Sequence, residues 1–164
     1  MTDALVIKVD DAQVQRWFGE LLRRATDLSP LMAAIGESVL ESTQGRFRTG
    51  TGPDGVAWVP LADGSGRTPL TDTGRMWQDI SPRAGPNWME LTAHARQARW
   101  HQKGTPAYTI TPKGKKALAW PGGPGPRKKV NHPGLPARPF MGISAEDDQR
   151  IGDLGIAWLE LGRA

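Results

Sequence analysis

The chain has no cysteine among its 164 residues, which excludes a disulfide scaffold, a thiolate metal site and a thiol nucleophile. It also lacks an apolar run near 20 residues and a basic-then-apolar leader, so a protein that is soluble and made in a cytoplasm is expected, with no membrane partner. Catalytic signatures are missing as well. There is no G-x-S-x-G and no HExxH, and Gly114-Lys115-Lys116 lacks the earlier Gly and the following Ser or Thr of a P-loop. His94 and His101 lie seven apart across a predicted strand-to-helix junction, so packing or hydrogen bonding is the expected role of His101. Neither catalytic residues, nor metal ligands, nor a cofactor site are assigned.

Acids are scarce in one region. Between Ser81 and Phe140 there are eleven Lys or Arg and a single acid, Glu90, a net of +10 within a chain whose total is +4. The ends are therefore acidic and the middle basic, a division that suits a polyanion or head-to-tail contact between copies of one subunit.

Glycine and proline, by contrast, are plentiful. The 20 Gly and 14 Pro imply long loops around a modest core, and the length suits a single domain over 1–164. Ala4 to Val9 reads as a short strand or lead-in. Asp10 or Asp11 then caps a helix whose Val14, Trp17, Phe18, Leu21, Leu22 and Ala25 follow helical spacing. A second helix is expected from Ser29 as N-cap with Pro30 first, fraying near Gly45. Pro53-Asp54-Gly55 is a tight turn with its own mechanism: Pro presets φ, Asp bonds the backbone two residues on, and Gly takes positive φ. Trp58 pins that loop.

Leu70 to Ile80 is the joint of the chain. Asp72 and Thr73 offer acceptors to a following turn, Gly74 allows close backbone approach, and Met76, Trp77 and Ile80 are apolar anchors. Strands are expected over 78–83 and 87–94, a helical turn over 95–103 ending at Gly104, and a hairpin pairing 108–111 with 117–120 across the basic turn 112–116. Residues 121–136 carry Gly-Gly-Pro-Gly-Pro and Arg127-Lys128-Lys129, the composition of an extended arm or mobile loop. A C-terminal helix follows, with Ser144 and Asp147 as a capping box and a stripe of Ile151, Leu154, Trp158 and Leu161. The predicted fold is α+β, with helices packed on a small, mainly antiparallel sheet and a basic loop at 112–136. Trp17, Phe18, Trp58, Trp77 and Trp158 are the expected core.

Several motifs in fixed order then stand out. They are Arg46-Phe47 at a helix end, Pro53-Asp54-Gly55 with Trp58, Leu70-Thr71-Asp72-Thr73-Gly74-Arg75-Met76, His101-Gln102-Lys103-Gly104, and Ala137-Arg138-Pro139-Phe140-Met141-Gly142-Ile143. Together they resemble the phage virion morphogenesis, or tail completion, family over about Ile35 to Ile156. The resemblance implies a non-enzymatic virion protein of a tailed phage or prophage, assembled in the host cytoplasm, that completes the tail or neck at the head-tail junction. The expected partners are further copies of the chain in a ring, neighbouring neck, connector or tail tube proteins, and transiently phage DNA. Trp100 is expected to fill the place of an aromatic that the family usually carries before the His-Gln pair. Arg75 and Arg138, each beside a backbone-restricting residue, are expected to make fixed ion pairs or bond carbonyls. Lys113, Lys115, Lys116, Arg127, Lys128 and Lys129 are the expected subunit-facing or DNA-facing cations. A nonspecific DNA-binding accessory module is the alternative, since flexible cations contact phosphates without reading bases.

Overall fold

A computed structural model describes residues 10–114, 116–120 and 123–160. The expected strand at Ala4 to Val9, Lys115 and Leu161 lie outside the described residues. In chain order the elements are α1 (Ala12–Thr26), α2 (Ser29–Thr49), α3 (Arg75–Gln78), β1 (Ile80–Gly85), β2 (Trp88–Ala93), α4 (Ala98–Lys103), β3 (Tyr108–Ile110), β4 (Val130–His132) and α5 (Ala145–Glu160). The class is α+β as the sequence predicts. Instead of one small sheet, however, the strands make two separate antiparallel pairs, β1 with β2 and β3 with β4.

The chain divides into two compact units. The first comprises residues up to Leu40, then Ser81–Thr92, then Ala145 onward. Its hairpin turns on Pro86-Asn87, and the Pro86 carbonyl accepts the Leu28 N–H at 3.1 Å. Along β2 Trp88 and Glu90 are exposed while Met89 and Leu91 are half-buried, the period-2 pattern of a strand with one covered face. Gly36 explains why a poor helix former sits inside α2: a Cβ there would stand 3.2 Å from the Pro82 Cβ, so the bare backbone lets the hairpin approach. Ile35 and Val39 are buried beside it in the sequence.

α1 forms where its periodicity says. Asp10 Oδ1 accepts the Ala12 N–H at 3.0 Å, and Glu20 is held by Arg23 and Arg24, whose hydrogen bonds lower its carboxyl to about 2. Its apolar stripe is not core, which corrects the expectation for Phe18. Trp17 and Leu21 are half-buried, but Val14, Phe18 and Leu22 are 52, 57 and 70% exposed. Arg24, three and seven residues after the half-buried Leu21 and Trp17, donates to the Trp158 carbonyl of α5 at 3.2 Å and lies over its ring. Trp158 and Trp77 are half-buried, which leaves Trp58 as the one fully buried member of the expected five.

α2 is capped earlier than expected: Asp27 Oδ1, not Ser29, takes the first free N–H, that of Ser29, at 2.9 Å. Nor does the helix fray at Gly45. Thr43, Arg46 and Phe47 are all buried, and this packing carries the helix to Thr49 despite the weak residue. In α5 the acids Glu146, Asp147 and Asp148 occupy the first turn as the helix dipole favours, and Asp147 is fully buried with Arg150 at 3.0 Å.

Candidate functional site: a clasped core and its basic ribbon

The second unit, Glu41–Ile80 with Ala93–Ser144, contains every motif singled out from the sequence. Its centre is an aromatic trio. Phe47 meets Trp58 edge-on at 5.6 Å between centroids and Phe140 at 5.1 Å, and all three are buried. Trp58 arrives there because Pro53-Asp54-Gly55 turns as predicted: Asp54 Oδ1 accepts the Val56 N–H at 3.0 Å, and Thr51 pairs with Ala57.

The polar groups around the trio all grip one segment, 138–142. Trp58 Nε1 donates to the Pro139 carbonyl at 2.8 Å, and Arg46 Nη1 donates to the carbonyls of Phe140 and Gly142, each at 2.8 Å. Gln102 Oε1 accepts the N–H groups of Phe140 and Met141. Arg138, 5% exposed, reaches in the other direction and donates from Nε to the Val59 carbonyl at 2.8 Å and from Nη2 to the Pro60 carbonyl at 3.0 Å. Carbonyl bonding, one of the two expected roles of Arg138, is thus found. Burial lowers its guanidinium from the ordinary value, and burial together with Arg138 lowers the His101 imidazole. His101 packs with its Nδ1 buried and unbonded among the described residues.

The Leu70–Met76 motif does not join this clasp. Met76 is buried, yet Asp72 and Thr73 do not cap α3: the Asp72 carboxylate is taken by Arg67 Nη1 at 2.6 Å, and the N-cap position falls to Gly74 at φ 70° with no side-chain bond. Arg75 is exposed, without an ion pair among the described residues. Trp100 is 51% exposed and fills no interior space, while Ala98 beside it in the same short helix is buried.

From the clasp the chain runs out through Gly104 and returns at Leu135, and the described residues between them form an antiparallel ribbon. Thr105 pairs with Leu135, Tyr108 with His132, Thr109 with Asn131, Ile110 with Val130, and further out Leu118 with Arg127. The expected hairpin of 108–111 with 117–120 is therefore wrong, and 121–136 is not simply a loose loop. The register explains the error. Between the two zones the outgoing limb has five more residues than the returning one, so the described residues of 111–117 bulge while Val130 to His132 supplies the strand partner. A lone run of three residues behind Gly and Pro carries too little periodicity to be read as a strand.

The sequence from Thr105 to Leu135 holds Lys113, Lys115, Lys116, Arg127, Lys128 and Lys129 and no acid. Lys113 and Lys116 are exposed in the bulge, and Arg127, Lys128 and Lys129 are exposed on the returning limb. Between the limbs is a groove of about 390 Å³ lined by Ile110, Leu118, Ala119, Trp120, Val130 and His132. Trp120 is 45% exposed, and His132 stacks on Tyr108 at 4.9 Å. The cations are legible in the sequence, whereas this apolar floor is not, because its two halves lie in limbs that no local periodicity pairs.

Among the described residues, no group of three or more His, Asp or Glu is placed to hold a metal, and no helix is long and apolar enough to cross a membrane. A search of curated proteins and a search of solved structures each returned no match. The profile of the phage virion morphogenesis family matches residues 9–160, nearly the whole chain, and takes in both the clasp and the ribbon. With four of its five ordered motifs gathered around Phe47, Trp58 and Phe140, and the family profile spanning nearly its whole length, the chain belongs to the phage virion morphogenesis family.

Proposed function

We propose that this protein is a non-enzymatic virion component that completes the tail or neck of a tailed phage at the head-tail junction, acting as a homo-oligomeric ring in contact with neighbouring neck, connector or tail tube proteins. The observation that carries the reading is the coupling of a stiff clasp to an acid-free cationic ribbon. A ring subunit needs a part that holds its shape and a part that reaches another surface, and heterologous contacts between unlike faces close such rings. Trp58, Arg46, Gln102 and Arg138 supply the first, and Lys113, Lys116, Arg127, Lys128 and Lys129 supply the second. The test is a phage or prophage from which this chain has been deleted. Lysates are expected to contain filled heads and separate tails by electron microscopy, and restoring the chain in trans is expected to return joined particles. Normal joined, infectious particles without the chain would refute the assignment.

A further inference from the structure

We infer that the ribbon groove receives the outward face of α5 from a second copy of this chain, in a head-to-tail contact. The inference rests on the ring reading above and names the surfaces that would close it.

α5 has two faces. Asp147, Ile151, Leu154 and Trp158 recur at helical spacing and are buried or half-buried. On the other side Ile156 and Leu159 are 58 and 52% exposed. Asp153 and Glu160 stand three residues before and four after Ile156, so both share its face, and both are exposed. This face offers two bulky aliphatic side chains set among carboxylates.

The ribbon offers the reciprocal surface. Its groove is apolar along Ile110, Leu118, Trp120 and Val130, and the exposed cations Lys113, Lys116, Arg127, Lys128 and Lys129 flank those residues along both limbs in a stretch with no acid. An apolar floor inside a one-signed rim selects an apolar ridge flanked by the opposite charge. A nucleic acid would satisfy the rim but leave the aliphatic floor uncovered. Within this chain the outer face of α5 satisfies both. The two surfaces differ, so the contact is heterologous, and repeating it builds a closed ring or an open filament.

The experiment is native mass by light scattering behind a sizing column. Trp120→Asp is placed on the groove and Ile156→Asp on α5, both exposed positions where the fold tolerates a polar residue. Lys128→Glu with Lys129→Glu is a milder alternative on the ribbon rim. Wild type is expected at a discrete multiple of 17.8 kDa, and each aspartate variant alone at the monomer mass, with self-association weakened roughly 30-fold or more. Mixing the two variants is decisive. Each keeps one intact surface, so an equimolar mixture should form a heterodimer of two chain masses and nothing larger. A mixture that stays monomeric overturns the inference, as does an oligomer that survives either aspartate variant but is dispersed by Phe18→Asp on α1. In that last case the ring reading stands and only the surface is wrong. A monomeric wild type overturns both.

Discussion

Gln102 holds Met141 by both of its backbone groups: Oε1 accepts the N–H at 3.0 Å while Nε2 donates to the carbonyl at 2.9 Å. The amide thereby stands in for a neighbouring strand, satisfying a stretch of backbone that has no ladder partner of its own. Because the same Oε1 also takes the Phe140 N–H, one side chain fixes the segment that carries the central phenylalanine.

Gln102→Leu should therefore destabilise the fold well beyond an ordinary surface substitution. It removes three hydrogen bonds and leaves partly buried backbone groups unpaired, a cost of about 2 to 3 kcal/mol. Urea unfolding should show the loss as a lower midpoint with unchanged slope. Trp58→Phe, which gives up the bond to the Pro139 carbonyl and also shrinks a buried ring packed on Phe47, should cost about 2 kcal/mol or more by the same measurement.

How much of this was legible in the sequence depends on the distance over which each feature is decided. The turn at Asp54 was readable because its acceptor, its turn glycine and its anchor Trp58 all lie within five residues. α1 was readable as a helix from its 3.6-residue period, but periodicity cannot say what covers a face, and so Phe18 was misplaced. The clasp was visible only as a set of ordered motifs. That Arg46, Trp58 and Gln102 share one backbone partner, 38 to 96 residues away in sequence, is a tertiary fact with no local signature. The ribbon failed for a related reason: Tyr108 finds its partner at His132, beyond a Gly- and Pro-rich segment that resembles a loop by composition.

His101 gives the stability a pH dependence. Burial, and then the Arg138 charge, hold its imidazole below the ordinary value of about 6.5, so the folded chain binds fewer protons than the unfolded one as that value is crossed. The contribution is complete above about pH 6.5 and is lost as pH falls from there toward the folded value, with a slope of at most about 1.4 kcal/mol per pH unit. His101→Gln should flatten the change in urea midpoint between about pH 7.5 and pH 5.5. An unchanged profile in the variant would assign the dependence to another group.

Gly134 sits where the ribbon returns to its base, at φ 90°, and a Cβ there would run into the Thr105 carbonyl oxygen and the Pro106 backbone. Neither partner is a side chain that can swing away. Gly134→Ala should cost at least about 2 kcal/mol, from the strained φ and the backbone conflict together. Hydrogen exchange should localise the damage, with the Thr105 and Leu135 amides losing the protection of their mutual bonds. Retained protection at those two amides would show that the ribbon base adapts.

Arg138 and Lys128 belong to different parts of the second unit, the clasp and the ribbon. Arg138 is buried and donates to the Val59 and Pro60 carbonyls, whereas Lys128 is exposed on the ribbon rim. Arg138→Ala should lower stability by about 2 to 3 kcal/mol, because charged hydrogen bonds are lost and the carbonyls are left without donors. Lys128→Ala should stay within about 0.5 kcal/mol of wild type. In assembly the two should also differ in kind. Arg138→Ala should reduce the yield of oligomer at every ionic strength by depleting folded subunits, while Lys128→Ala should weaken self-association mainly at low salt, where its charge is unscreened. Equal yields of oligomer from the two variants across a salt series would mean that the clasp does not support the surface through which copies meet.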